Sequence, residues 1–236
     1  GCRQTLRPVN PTLDRRFWLW HAGLPVVIAL SLLAIFEPSH WDLAVSDRFY
    51  DFARGRFWLR RSWFFEEFAH DGIKWAIVVF GLFVGVLWLA SWRSSTLASK
   101  RRVLGYLFLC LLLAPLVVGG IKAVSVQHCP WDIDRYGGMA PYVTLLEPVV
   151  PGMDRGACWP SGHAAGPFAF YALYFVWRNR SPKRSRWAFA IVTVLGLLIG
   201  FGRVVQGAHF VSHMFWSALF CWYVCLTLYV AFRARL

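Results

Sequence analysis

Three short runs of the sequence carry side chains that suit the binding and transfer of phosphate. They are Lys122 followed by Cys129-Pro130, the run Pro160-Ser161-Gly162-His163, and Arg203 followed by His209 and His213. Lysine and arginine supply fixed positive charge, and arginine can hold a phosphate through two parallel hydrogen bonds. Imidazoles titrate near neutral pH and can act as nucleophile or proton donor. Together these residue types predict an oxyanion site that transfers phosphoryl groups.

Each run also has an ordinary structural interpretation. A lysine such as Lys122 at the end of an apolar segment commonly extends its ammonium group to the membrane surface. Ser161 and Gly162 are typical of a helix start, where the serine caps the helix and the free N–H groups favour an anion. His209 and His213, four residues apart, also have the spacing of half a metal site. The phosphate hypothesis therefore depends on the three runs coming together.

The composition indicates that these runs lie in a membrane protein. Of the 236 residues, 58% are hydrophobic and 16% are charged, and the mean hydropathy is +0.47. Soluble domains have about 25% charged residues. Six segments are apolar and about long enough to cross a bilayer, namely 17–36, 73–92, 103–121, 162–177, 187–203 and 214–232. We therefore predict an all-α fold, in which residues 1–236 form one membrane bundle of six transmembrane helices.

The distribution of charge predicts how this bundle is oriented. The N-terminal segment, the second and fourth connections and the C-terminal tail contain fifteen basic residues and one acidic residue, Asp14, whereas the opposite segments hold the other eleven acidic residues. The positive-inside rule then places both termini in the cytoplasm. The net charge of +13 is thus interpreted as a topology signal and a contact for anionic lipid, and no nucleic-acid partner is expected. No segment has the pattern of a removable signal peptide, so the first span is expected to direct insertion.

This topology places the three runs at the same depth, at the outer ends of their spans. Two longer segments lie on that side, 37–72 and 123–160. The first is rich in aromatic residues and in charges of both signs, which fits amphipathic helices lying in the headgroup layer. The second is rich in Pro, Gly and Asp and has no helical period, and long loops of this kind are often functional.

The spacing of the three runs resembles that of the type 2 phosphatidic acid phosphatase superfamily, whose motifs are K-x6-R-P, P-S-G-H and S-R-x5-H-x3-D. The resemblance covers Lys122 to His213, and the six spans fit the membrane-bound bacterial branch of that superfamily. It implies that His209 attacks phosphorus to form a phosphohistidine and that His163 protonates the leaving oxygen. It also implies that four residues hold the phosphate oxygens, without a metal or another cofactor: Lys122, Ser161, Gly162 and Arg203.

Three positions depart from the motifs. Cys129 stands at the position of a phosphate-binding arginine, Gly202 at that of a serine, and His213 at that of the aspartate that orients the nucleophile. Arg135 is the candidate to replace the missing arginine. His213 could orient His209 through a neutral ring nitrogen, or a loop acid could replace the aspartate; the candidates are Asp132, Asp134, Glu147 and Asp154.

The cysteines give a further expectation. Cys129 and Cys158 are the only cysteines in the outer loop, and the periplasm is oxidising. A disulfide between them would hold the first run beside the second, and the alternative is two free thiols. The cysteines within the spans, Cys110, Cys221 and Cys225, are expected to pack as small apolar residues.

The leading functional hypothesis is a lipid phosphatase in a bacterial inner membrane, with its active site facing the periplasm. The candidate substrates are undecaprenyl pyrophosphate, lipid A 1-phosphate, phosphatidylglycerol phosphate and phosphatidic acid. Three alternatives remain open: a phosphotransferase that passes the phosphate to a second lipid, a lipid-binding protein without catalysis, and a metal-dependent hydrolase that uses His163, His209 and His213.

Overall fold

A computed structural model describes residues 13–60, 72–148, 152 and 154–232 of the chain, and most of them are helical. The α-helices are α1 (Arg15–Trp18), α2 (Leu24–Ser39), α3 (Trp41–Asp47), α4 (Ile73–Ala90), α5 (Ser95–Ala98), α6 (Arg101–Val124), α7 (Gly162–Phe168), α8 (Ala172–Arg178), α9 (Pro182–Val205) and α10 (Val211–Phe232). The strands β1 (Tyr50–Asp51) and β2 (Arg56–Phe57) form an antiparallel hairpin in which Tyr50 pairs with Phe57.

Within the described part of the chain, five helices are long and apolar enough to cross a membrane. They are Arg15–Ser39, in which a π-helical turn joins α1 to α2, and the helices α4, α6, α9 and α10. Their outward sides are apolar, and on α4 the side chains of Val79, Leu82 and Val86 are all more than 60% exposed. Such surfaces are stable next to lipid and not next to water, so the protein is a membrane protein.

The fourth predicted span is helical but interrupted. Residues Gly162–Arg178 form α7, a 3-10 turn at Ala169–Tyr171 and then α8. Pro167 lies inside α7, and a proline removes one backbone hydrogen bond and crowds the preceding turn. None of the three pieces reaches the length of a spanning helix, so the part of the chain that the structure describes has five such helices where the sequence predicted six.

The first long segment also differs from its prediction. Amphipathic helices were predicted within 37–72, whereas the described residues of this segment are helical only at the end of α2 and in the short α3, and residues 50–57 form the hairpin. The carboxylate of Asp51 accepts hydrogen bonds from the N–H groups of Ala53 and Arg54, and Gly55 has a φ of 62°. Both features stabilise a turn at the expense of a helix. Residues 61–71 of this prediction lie outside the described residues.

Small residues bring the helices of the bundle close together. A side-chain carbon at Gly196 of α9 would lie 2.2 Å from the ring of Phe168 on α7, and one at Gly200 would lie 2.9 Å from Met214 on α10. Glycine at such contacts lets helices in membranes approach closely. This packing places the end of α9 beside the starts of α7 and α10.

A second cluster of buried side chains lies over the turn that connects α9 to α10. It consists of Tyr50, Phe57, Ile133, Tyr136 and Phe210. Gly207 in that turn has a φ of 77°, and a side-chain carbon there would lie 2.3 Å from the ring of Phe57. The hairpin therefore packs directly on the turn that carries His209.

Candidate active site

The three runs meet at one end of the bundle. Lys122 lies in the last turn of α6, Ser161 precedes α7, and Arg203 lies in the last turn of α9. His209 lies in the turn before α10, and His213 lies in the first turn of that helix. Four charged or ionisable side chains surround His209, namely Lys122, His163, Arg203 and His213. We call these four residues and His209 the phosphate-site cluster.

His209 lies at the centre of this cluster. Its side chain is 2% exposed, and its ring centre is 5.8 Å from that of His163 and 5.7 Å from that of His213. Its Nδ1 atom is 3.5 Å from the sulfur of Cys158. A disulfide sulfur carries no hydrogen and can only accept a hydrogen bond, so this contact favours the tautomer in which Nδ1 carries the proton. The lone pair is then on Nε2.

The surroundings of His209 keep its ring neutral. Burial lowers the pKa of His209 well below its ordinary value, and the neighbouring His213, Lys122, His163 and Arg203 lower it further. Removing a cation from water disfavours its charged form, and nearby positive charge has the same effect. At neutral pH the imidazole is therefore uncharged and can act as a nucleophile.

The remaining groups are arranged to hold an anion. The side chain of Lys122 lies next to Gly162, where an added side-chain carbon would come within 3.9 Å of it. The hydroxyl of Ser161 is buried and has no hydrogen-bond partner among the described residues. Arg203 donates a hydrogen bond of 2.6 Å from Nη1 to Gln206, and its guanidinium lies 5.9 Å from the centre of the Trp131 ring. Gln206 and Trp131 thus fix the orientation of the guanidinium.

A groove of about 780 Å³ leads to the cluster. Its walls come from α4, α6, α7 and α9, and most of the side chains that line them are apolar. His163, Arg203 and Gln206 line the same groove together with Gly162. The volume is in the range of pockets that hold small molecules, and the groove combines apolar walls with a cationic, imidazole-bearing end.

Cys129 and Cys158 form the disulfide that the sequence predicted. Both residues are buried, and the bond fixes the segment after α6 next to the residues before α7. Among the described residues, the one group of three side chains close enough to share a metal ion is Cys129, Cys158 and His209. Its two sulfurs are bonded to each other, so they are not available as thiolate ligands.

The structure does not bring Arg135 into the phosphate-site cluster. Its guanidinium donates two hydrogen bonds to the carboxylate of Asp47 on α3, of 2.8 and 2.7 Å, and Arg135 does not line the groove. Tyr136 also donates to Asp47, at 2.8 Å. These hydrogen bonds lower the pKa of Asp47, and the contribution of Arg135 is the larger one. Arg135 therefore joins the second long segment to α3, and the prediction that it replaces the motif arginine is not supported.

The four loop acids considered for His209 make other contacts. Asp132 accepts from the indole of Trp131, Asp134 from the N–H of Arg135, and Glu147 from the N–H of Thr144. Asp154 is bonded through its carbonyl to His128. A different acid contacts the start of α10, because the carboxylate of Asp42 on α3 accepts hydrogen bonds from the N–H and the hydroxyl of Ser212. Sequence reasoning missed this residue, since nothing in the local pattern around it indicates a partner 170 residues away.

Comparison with known proteins agrees with this geometry. The model of the PAP2 superfamily matches residues 103–236, which is more than half of the chain and includes all three runs. Searches of curated proteins and of solved structures gave no match. Because the family model covers the groups that form the cluster, the chain belongs to the PAP2 superfamily.

Proposed function

We propose that this protein is a lipid phosphatase that removes phosphate from a phosphate monoester or a diphosphate of a membrane lipid. Membership of the PAP2 superfamily and the apolar spanning helices already indicate a membrane phosphatase. The observation that carries the finer proposal is the groove, because its apolar walls end at His163 and Arg203. A lipid tail fits such walls, while its phosphate would reach the cationic end.

In the first step, Nε2 of His209 attacks phosphorus and the bond from phosphorus to the lipid oxygen breaks. His163, entering as the imidazolium, gives its proton to that oxygen, so the lipid leaves as an alcohol or as a lipid monophosphate. Lys122, Arg203 and Ser161 hold the phosphate oxygens as charge develops on them. The product on the enzyme is a phosphohistidine at His209.

In the second step, water attacks this phosphohistidine. The neutral His163 accepts a proton from the water, the bond between phosphorus and nitrogen breaks, and inorganic phosphate leaves. Both imidazoles then regain their starting protonation. The fixed charges of Lys122 and Arg203 supply the electrostatic stabilisation in this scheme, so it needs no metal or other cofactor.

We further propose that Gly162–Arg178 acts as a sixth crossing. Its 17 residues would extend about 25 Å as a helix, slightly less than the thickness of the hydrocarbon core of about 30 Å. The start of α7 would then be recessed below the membrane surface. The charge distribution supports cytoplasmic termini and an active site on the periplasmic side of a bacterial inner membrane.

The test is release of inorganic phosphate by the purified protein in detergent micelles. The substrates are phosphatidic acid, phosphatidylglycerol phosphate, lipid A 1-phosphate and undecaprenyl pyrophosphate. Turnover of at least one lipid by the wild type and by His128→Ala, but not by His209→Ala, is expected. His128 is the matched control because it lies in the same long segment and is bonded to a backbone carbonyl outside the cluster. Turnover by His209→Ala would overturn the mechanism.

Two further measurements distinguish lipid hydrolysis from the alternative functions. Activity that survives a chelator supports the metal-free scheme, whereas loss of activity restored by a divalent cation would favour the metal-dependent hydrolase. With a labelled phosphate and a second lipid present, label in water supports hydrolysis and label in the second lipid indicates phosphotransfer. No turnover of any lipid by the wild type would favour a binding protein without catalysis.

A further inference from the structure

The proposed mechanism requires negative charge near His209, because attack on phosphorus turns its neutral imidazole into a cationic one. A carboxylate next to the ring normally stabilises that charge, but position 213 is a histidine in this chain. Among the acidic residues that the structure describes, Asp42 is the one with a buried side chain, 5% exposed. Its place in the fold therefore bears directly on the missing charge.

Asp42 binds the first turn of α10. Its carboxylate accepts a hydrogen bond of 2.9 Å from the N–H of Ser212 and one of 2.5 Å from the hydroxyl of the same residue. The N–H groups of a first turn have no partner within the helix, and a carboxylate there also interacts favourably with the helix dipole. The carboxylate of Asp42 thereby fixes the first turn of α10, which contains His213. This turn begins directly after His209 and Phe210 in the chain.

A small cavity is lined by residues of both α3 and the first turn of α10. It has a volume of about 20 Å³, and Asp42, Ser212 and His213 are among the residues that line it. That volume is enough for about one water molecule. Nδ1 of His213 is buried and has no hydrogen-bond partner among the described residues, so the lining offers both an acceptor and an unsatisfied ring nitrogen.

We propose that Asp42 is the positioning residue that takes over the role of the motif aspartate, acting on His209 through Ser212 and His213. This inference rests on the proposed function. The carboxylate fixes the first turn of α10 and supplies the negative charge that stabilises the cationic ring of His209 during attack. Asp42 itself touches neither the substrate nor the reacting atoms.

The ionisation of Asp42 provides a readout for this assignment. Burial raises the pKa of Asp42 to about 6, the hydrogen bonds from Ser212 oppose the rise, and the charge of Glu37 adds to it. The ionisable groups around this carboxylate are Glu37, His40, Tyr142, Glu147 and His213. Asp42 is thus charged at pH 7 and becomes neutral as the pH falls through about 6. His209 does not account for a loss of kcat near pH 6, because its pKa lies well below 6.5. His163 also changes protonation in the mechanism, so such a loss is assigned to Asp42 by its absence from Asp42→Asn.

The deciding variant is Asp42→Asn, which keeps the shape and the hydrogen bonds but removes the charge. The asparagine oxygen can accept from the N–H of Ser212, and its amide can donate to the hydroxyl. We expect kcat at pH 7.5 to fall by about tenfold or more, as the loss of a nearby charge predicts, with KM within about twofold of the wild type. The decrease in kcat as the pH falls through about 6, which we call the acid limb, should disappear. Asp51→Asn, in the hairpin, is the matched control and should keep both kcat and the limb.

A second substitution tests whether Asp42→Asn lowers kcat through the lost charge or through altered packing. His213→Asp restores the motif carboxylate, and in the Asp42→Asn background it should recover most of the lost kcat. A wild-type kcat and an unchanged acid limb in Asp42→Asn would overturn the proposal, and so would a loss that His213→Asp does not reduce.

If Asp42→Asn does not fold, Ser212→Ala decides. It removes a hydrogen bond that lowers the pKa of Asp42, so the acid limb should move to higher pH, and a limb that stays in place would overturn the proposal. The wild type is measured in every assay. Failure of the wild type to release phosphate from any lipid counts against the proposed function, whereas an active wild type with an equally active Asp42→Asn counts against this inference alone.

Discussion

In the proposed phosphate site, Arg203 is the one arginine of the cluster. Cys129 stands at the position of the other motif arginine, and Arg135, the nearest candidate along the loop, is paired with Asp47. Lys122 is a point charge on a flexible stem, whereas a guanidinium presents a planar fork. Gln206 and Trp131 hold that fork in one orientation.

The first prediction concerns this guanidinium. Arg203→Lys keeps the positive charge but loses the paired hydrogen bonds, each charge-assisted bond being worth about 1.5–3 kcal/mol. We expect kcat/KM for the lipid substrate to fall by about 10- to 150-fold. Phosphate-release kinetics in micelles measure this loss. Arg155→Lys, at an exposed position in the same long segment as Cys129, should stay within about twofold of the wild type, and an equal loss in both variants would count against a special role for Arg203.

At the scale of elements, the disulfide fixes the segment after α6 against the residues before α7. Its two cysteines are 29 residues apart, and closing a loop of that length in the unfolded chain is worth about 3–4 kcal/mol. The sulfur of Cys158 also contacts Nδ1 of His209, the proposed nucleophile. The bond is therefore expected to affect both stability and catalysis.

The second prediction follows from these two contacts. The double variant Cys129→Ser, Cys158→Ser should have a lower melting temperature in detergent and a lower kcat, because His209 loses a neighbour that holds its ring. Thermal unfolding and phosphate release, each with and without reductant, measure the two effects. Reductant should change the wild type only, since the double variant has no bond to break, and equal melting temperatures of the two proteins would contradict the prediction.

Patterns within single elements could be predicted from the sequence, and pairings between distant elements could not. Among the described residues, five of the predicted apolar runs form long helices, because a backbone in lipid must satisfy its hydrogen bonds internally and a helix does so within one segment. Pro167 interrupts the fourth run, and the turn at Asp51 forms a hairpin where amphipathic composition favoured a helix. The three runs were found because their residue types are suited to phosphate. The pairings of Arg135 with Asp47 and of Ser212 with Asp42 join segments 88 and 170 residues apart, and one sequence contains no local signal for such contacts.

Across the whole molecule, the proposed function implies that the groove selects which substrates reach the cluster. Its apolar walls come from helices whose outward sides suit lipid. A substrate could therefore enter sideways from the bilayer with its chain along the wall. A small soluble phosphate ester would contact the cluster but not the apolar walls of the groove.

The last prediction uses this difference. Leu198 lines the groove on α9, and its side chain is 64% exposed. Leu198→Trp should fill part of the groove and displace about two methylene groups of a lipid chain. At about 0.8 kcal/mol for each methylene, kcat/KM for a long-chain lipid phosphate should fall by about tenfold. Hydrolysis of a soluble aryl phosphate, if the enzyme turns it over, should stay within about twofold.

Leu195→Trp is the matched control for this substitution. Leu195 lies on the same helix, is 49% exposed and does not line the groove, so the added indole there should leave the kinetics of both substrates unchanged. Parallel kinetics with a long-chain lipid phosphate and an aryl phosphate measure the selectivity. An equal loss for both substrates in Leu198→Trp would mean that the indole disturbs the cluster itself, and an unchanged rate for the lipid would show that its chain does not lie along this wall.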